Sequence, residues 1–458
     1  MKKQFMILVS FALTYNLLSC DLAVKQISGK PYEVLSANVF NQLQEKYLIN
    51  DFELGTAVVS DNYLYGLINS KGKLIQECVY DTIYPLSNNY RIAKVFGKYG
   101  LINVNGKVCV ECKYDDVGEF VEETTFHPFK LNDKWGFVSK NGEVKTFFKY
   151  DEVLNFNDSC FVASLNNKYG VIRYDDTYIL EPKYDKIQYK WLGNPYTIVQ
   201  LSGKMAIVNS VNNFVTGFDY CADDFYSFPM ADQYLEVSKY TEYNKKLYGI
   251  IEYETGRVVI PCEYESLGDI SEGLLYAEKN NLYGFIDINN NVVIPFKYKD
   301  AEDFSEGLAR VSVHKGYYNS IAGVLSYTED GYINKQGEFV IKPSIASSWF
   351  NMSDTQFNEG LAAAGVRTGN YMFAQKFGYI DKSGKFVIQP EYDTAYKFLK
   401  NIAIVEKNKK YGCINKKGEL IVNIEYDEYE YRRDKDTVVI LIKDGKKCMF
   451  NFDGTPVE

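Results

Sequence analysis

The feature that most constrains this chain is that it repeats itself. An aromatic residue followed by glycine and a short apolar run recurs at Tyr65-Gly66, Tyr99-Gly100, Trp135-Gly136, Tyr169-Gly170, Tyr248-Gly249, Tyr283-Gly284, Phe377-Gly378 and Tyr411-Gly412. Weaker copies stand at Met205-Ala206, Asp330-Gly331 and Lys447-Cys448. Successive marks lie 34 to 47 residues apart, mostly 34 to 36, and in most copies a tyrosine follows the glycine by 14 residues. That period signals stacked small units, each unable to bury its apolar face alone, rather than separate domains.

Each unit reads as three short strands. The first is a run such as Gly307 to Val313, and the second is the aromatic-glycine segment. A tight turn (Lys71-Gly72, Asn105-Gly106, Asn141-Gly142, Ser383-Gly384, Lys417-Gly418) leads to the third, an apolar run often stopped by Pro182, Pro261, Pro295 or Pro390. A Tyr-Asp turn and a Phe-Ser-Glu-Gly stretch then open the next unit. The reading is therefore all-β: a tandem array of about eleven three-stranded units of ~35 residues over 51–458, curved or superhelical. One or two β-propellers are the alternative, although eleven units exceed the usual 4–8 blades. Glycine inside a strand marks a close approach, and a ring from a neighbouring strand lying over it is the expected occupant. Tyr283 and Trp135 are expected to be mostly buried.

The repeat resembles the WG (KWG) repeat family of bacterial proteins. Asp300 to Val311 and Phe377 to Tyr392 match its pattern best, and only Trp135 keeps the tryptophan. The resemblance specifies the fold unit and implies no catalytic residue set.

The amino terminus carries an address. Met1-Lys2-Lys3 precedes a mostly apolar run from Phe5 to Leu18 and the box Leu17-Leu18-Ser19-Cys20. The run is shorter than the roughly 20 apolar residues of a spanning helix. It resembles a bacterial lipoprotein signal, which implies cleavage after residue 19, acylation of Cys20 and a lipid-anchored location in the cell envelope. Residues 20–50 then form a tether and a capping helix, with apolar positions at near-helical spacing from Val34 to Tyr47.

Chemistry is sparse. The chain has 51 basic and 60 acidic residues, a net charge of −9, which disfavours nucleic acid. Two histidines, His127 and His314, leave little for metal or triad sites, and no cofactor is expected. Cys109 and Cys112 form a lone CxxC without a second pair for zinc. Cys78, Cys112 and Cys262 share one register position and read as small packed residues, with a Cys78–Cys112 disulfide as the alternative. The Tyr-Asp aspartates read as turn residues bonding their own backbone, and the lysines before the aromatic (Lys98, Lys134, Lys168, Lys376, Lys410) as solvated charges.

Three long spacings are the functional lead. Extra residues fall between the first and second strands and carry Tyr240 and Tyr243, then Tyr317, Tyr318 and Tyr327, then Tyr371 and Phe373. Insertions at equivalent places project from one edge, where exposed aromatics can stack on a glycan or anchor a protein. The expectation is a membrane-anchored binding scaffold without catalysis. An envelope carbohydrate-active enzyme and a purely structural protein are the alternatives.

Overall fold

The computed structural model describes residues 35–87, 89–119, 124–157, 159–189, 196–222, 229–231, 233–320, 323–346, 355–367, 376–430 and 438–457. Cys20 and its leader lie outside them. The chain divides into two compact units, Met1–Trp191 with Thr197–Ser202, and Leu192–Tyr196 with Gly203–Glu458. Eleven antiparallel sheets follow one another among the described residues, matching the eleven sequence marks. Eight have four strands and three have three. The sequence does not announce the fourth strand: in most units it is two or three residues long and directly follows the turn after the unit's tyrosine, although Leu48–Glu53 and Glu152–Phe156 are longer.

The unit around Gly284 shows the plan. Strand a is Ser266–Leu267, b Leu274–Lys279, c Leu282–Asp287 and d Val292–Tyr298. Strands b and c join through Asn280-Asn281, both at positive φ (56° and 59°), the twist that a two-residue hairpin prefers. Strands c and d join differently. The Asp287 carboxylate accepts the amides of Asn289 and Asn291 at 2.9 and 2.8 Å, and elsewhere Asn69, Asn103, Asn334 and Asn415 do the same.

Both faces of strand c are buried. Phe285 and Ile286 point to opposite faces, and neither is exposed to solvent. Ile286 packs with Ile250, Ile260 and Tyr264 of the preceding sheet. Phe285 packs with Ala309, Val311 and Ile333 of the following one. This sheet is thus the floor of one core layer and the ceiling of the next, at about 1.5–3 kcal/mol per large apolar side chain. The first sheet lacks a predecessor, and helix α1 (Ala37–Gln44) takes that place: Val39, Phe40 and Leu43 lie against Phe52, Val59 and Ile68. The helix covers the sheet's face rather than its edge. Among the described residues no helix is long and apolar enough to cross a membrane.

The glycine has a different occupant from the one expected. Tyr283 pairs with Tyr298 and Phe285 with Ile294, so Gly284 alone faces Pro295, Phe296 and Lys297. This bulge drives strand d onto the glycine: a Cβ there would lie 2.7 Å from the Ile294 carbonyl oxygen and 2.9 Å from the Phe296 nitrogen. Gly66, Gly100, Gly249, Gly378 and Gly412 meet the same backbone, as does Gly170 with its proline ring added. Only at Gly136 does an aromatic ring, Phe148, come as close as backbone. The prolines therefore sit inside strand d, at the bulge, where a missing N–H is harmless. Tyr283 and Trp135 are half-buried, and the deeply buried aromatics include the tyrosines that follow the glycine by 14 or 15 residues, Tyr114, Tyr150, Tyr184, Tyr264 and Tyr298.

Cys78 and Cys112 are free thiols and not a disulfide. Each sits at the bulge over a glycine. The Cys112 thiol donates to the Ala93 carbonyl at 3.5 Å, and burial pushes its pKa up to about 11, so it is a packed thiol rather than a reactive one.

Candidate functional site

The b–c turns of successive sheets are tied together by the acid of Tyr-Asp. Asp115 accepts Lys98, the lysine before its own unit's aromatic, on one oxygen. Its other oxygen takes the amide of Asn132 in the next unit's b–c turn, at 2.6 Å. The arrangement recurs with Asp151 between Lys134 and Asn167, Asp185 between Lys168 and Ser202, and Glu265 between Lys245 and Asn280. Asp393 joins Lys376 to Asn408, and Asp427 joins Lys410 to Asp444. The aspartate is thus an inter-unit staple rather than a cap on its own backbone, and the lysine is its ion-pair partner rather than a solvated charge. The lysine hydrogen bond and then the turn amide hold the Asp115, Asp151, Asp185 and Asp427 carboxyls below the usual carboxylate range. For Asp393, partial burial works the other way and is outweighed by the same two bonds.

This staple is missing where the edge changes shape. The residue after the unit's tyrosine, or after Ile345 in its place, is Cys221, Lys299 or Ala346 at three positions. The b–c connections that follow them are the three insertions. The first is the longer turn between Tyr240 and Lys246, closed by a bond from the Lys245 amide to Thr241 Oγ1. The second is a projecting hairpin of strands Ala309–Ser320 and Gly323–Ile333. The third joins strand Ala362–Val366 to Lys376–Ile380. Where one of these two-residue turns follows an earlier unit's acid, that carboxylate caps it; where the turn expands, the carboxylate would have no amide to receive.

All three insertions belong to the unit that includes Gly203–Glu458. Tyr243 is 92% exposed, Tyr317 71% and Tyr240 46%. Tyr327 is not free: the Arg367 guanidinium lies 4.9 Å from its ring centre, donates to Glu329 at 3.1 Å and to the Thr328 carbonyl at 3.2 Å. Arg367 opens the third insertion, so the roots of the second and third lie together. Tyr318 falls on the hairpin strand with its side chain outside the described residues, and Tyr371 and Phe373 also lie outside them.

The hairpin is rooted by a buried ionic cluster that has no counterpart in the repeat pattern. Arg310 is 4% exposed and pairs with Asp300 at 2.7 Å, Glu302 at 2.9 Å and Asp330 at 3.4 Å. Burial opposes its charge, but the three carboxylates outweigh that and raise its pKa. Glu302 also accepts Thr355 Oγ1 at 2.7 Å, and the Tyr332 hydroxyl donates to the Thr355 carbonyl. These carboxylates are committed to a guanidinium and a hydroxyl. Among the described residues no three His, Cys, Asp or Glu are grouped to hold a metal ion.

Two other turn tips depart from the pattern. Tyr63 (φ 74°) and Phe96 (φ 48°) hold left-handed backbone, which costs a residue with a side chain about 1–2 kcal/mol, where most turns use Asn or Gly. Both are over 90% exposed.

The repeat geometry has a counterpart among known families. A model described as "WG containing repeat" matches residues 65–99, 99–135, 135–169, 248–283, 283–318, 331–345, 377–411 and 411–434, more than half of the chain. The chain belongs to the WG-repeat family. No curated protein gives a sequence match. Solved structures give distant likenesses. The tricorn protease is 10% identical over 90% of this chain and 53% of its own, with a TM-score of 0.32. A eukaryotic initiation factor is 9% identical over 62% and 84%, with a TM-score of 0.27. An extracellular domain of a two-component system from B. thetaiotaomicron is 10% identical over 86% and 68%, also at 0.27. Scores this low bear on neither topology nor activity. The stretches of this WG-repeat protein that the family model leaves out include 170–247, 319–330 and 346–376, which hold the three insertions, Tyr317 and Tyr318 apart. Sequence reasoning found the insertions by spacing but missed Arg310, Arg367, Tyr63 and Phe96. The missing acids at 221, 299 and 346 were a readable signal for the modified edge.

Proposed function

We propose that this WG-repeat protein is a binding scaffold, held at the cell envelope by lipid on Cys20, that takes a protein or glycan partner on the modified b–c edge of 203–458 and performs no catalysis. The observation that carries the reading is the coincidence of three lost staple acids with three expanded turns. In the other sheets of 203–458 the two-residue turns Asn280-Asn281, Asn408-Lys409 and Asp444-Gly445 make that edge polar; here it is replaced by projecting segments with exposed tyrosines. An arm rooted by Arg310 and its carboxylates is held in place before a partner arrives, which lowers the ordering cost of binding. Tyrosines offer a large apolar face and a hydroxyl with few rotors to fix, suiting sugar rings and protein surfaces alike. The envelope location rests on the leader and Cys20.

The test is an affinity measurement with envelope glycans and envelope proteins as probes, comparing wild type with a Tyr243→Ser/Tyr317→Ser double variant. Binding lost in the variant with its melting temperature unchanged supports the reading. A partner held equally by both proteins removes the insertions from the site.

A further inference from the structure

The first two sheets carry a second unusual edge, and it is apolar. In sheet one Leu48 pairs with Ser60, Ser60 with Tyr65 and Tyr65 with Tyr80, so these residues form the row nearest the b–c turn. Tyr63 and Leu64 lie just beyond that row, and Val79 just inside it. Phe96 forms the corresponding tip of sheet two, and the neighbouring Gly97 amide donates to Asp81 at the end of sheet one, at 3.0 Å. The tips therefore adjoin. Tyr63 is 94% exposed, Phe96 93% and Leu48 77%, with Leu64 and Val79 also exposed. Later two-residue tips are polar: Asn132-Asp133, Asn166-Asn167, Asn280-Asn281 and Asn408-Lys409. The turn itself does not ask for these aromatics, because left-handed backbone favours Asn or Gly. Something outside the fold accounts for them better than the fold does.

We infer that this edge docks on the bilayer interface, with Tyr63 and Phe96 seated among the headgroups beside Leu48 and Leu64. The inference rests on the reading of Cys20 as a lipid anchor. From Cys20 to Leu35 is 15 residues, a reach of up to about 50 Å in any conformation. Leu35 lies near the Gly72 turn at the opposite end of sheet one, and a six-residue strand is only about 20 Å long. The tether therefore reaches far enough for the b–c edge to meet the membrane that holds the lipid. Aromatic rings with polar tips suit the headgroup layer, and flanking leucines add burial towards the acyl chains. A glycan fits less well, since aliphatic Leu48, Leu64 and Val79 offer no stacking face. The inferred effect is orientation: lipid alone leaves the array free to swing, while a second weak contact fixes which side faces outward.

The experiment uses the full-length lipidated protein in phosphatidylethanolamine–phosphatidylglycerol vesicles containing acyl-brominated lipid. Tyr63→Trp, Phe96→Trp and the polar-tip control Asn166→Trp are compared after subtracting the native tryptophan signal. The added fluorescence should fall at least about twofold for the first two and stay unchanged for the control. Equal quenching at all three, or none at 63 and 96, overturns the inference. So does a concentration-dependent dimer abolished by Tyr63→Ser/Phe96→Ser without quenching, which would assign the edge to a second copy. Palmitate labelling of wild type against Cys20→Ala, run alongside, separates the two readings. Labelling without quenching leaves the anchor and removes the edge. No labelling removes the anchor, and the edge is then judged by quenching of the same variants mixed with vesicles at millimolar lipid.

Discussion

Replacing Gly284 with alanine tests the bulge that defines each unit. The added Cβ would lie 2.7 Å from the Ile294 carbonyl oxygen, 2.9 Å from the Phe296 nitrogen and 3.0 Å from the Pro295 carbonyl carbon. All three are backbone, so no side chain can rotate away. Strand d would have to lift by several tenths of an ångström from a strand buried on both faces, loosening the Phe285 and Ile286 layers together. Overpacking of this kind costs about 1–3 kcal/mol. Alanine recovers about 0.4–1 kcal/mol by restricting the unfolded chain, and Gly284 needs no left-handed backbone. The net expectation is a loss of about 1–2 kcal/mol, rising to about 2–4 kcal/mol for Gly284→Val. Gly273→Ala is the control: nothing lies within 4 Å, but its φ of +87° imposes strain alone. Urea unfolding read with hydrogen exchange over Val292–Tyr298 measures both. A Gly284→Ala protein with an unchanged midpoint and unchanged protection in that strand refutes the close-approach account.

Other expectations follow from the staples and the anchor. Arg310→Leu leaves three carboxylates around an apolar side chain and should cost about 3–5 kcal/mol, seen as early melting of 203–458. Asp393→Asn should weaken the bonds to Lys376 and Asn408, at about 1 kcal/mol by thermal melting. The staple carboxyls have folded pKa values below their unfolded ones, so their contribution is complete above about pH 4 and is lost as pH falls through the lower folded values. Acid melting curves should therefore drop below pH about 4, and the Asp393→Asn curve should drop less steeply. Cys20→Ala should abolish palmitate incorporation and shift most of the protein to the soluble fraction.

Legibility followed the range of the forces involved. Repeat number, strand type and the capping helix came from local patterns: the aromatic-glycine marks, the alternation through Phe285 and Ile286, and the helical spacing before Tyr47. The two-residue strand a is too short to leave a pattern. The occupant of Gly284 depended on a bulge set by pairing with strand d, and a glycine does not say whether ring or backbone covers it. The Asp115 staple reaches 17 residues ahead to Asn132, so its composition looked like an ordinary turn. The Arg310 cluster joins Asp300 and Asp330, which pairing of neighbouring strands within one sheet brings beside it, with Glu302 and, 45 residues further along the chain, Thr355, so no local pattern announces it.

The most direct test of the binding edge is site-specific photo-crosslinking in intact cells. A photoreactive phenylalanine analogue is placed at Tyr243 or Tyr317, and in separate strains at Asn289 or Lys382 on the opposite, c–d edge. Adducts at Tyr243 and Tyr317 that are absent at Asn289 and Lys382 are the expected result. Adducts confined to Asn289 and Lys382 would contradict the assignment of the partner to the b–c edge.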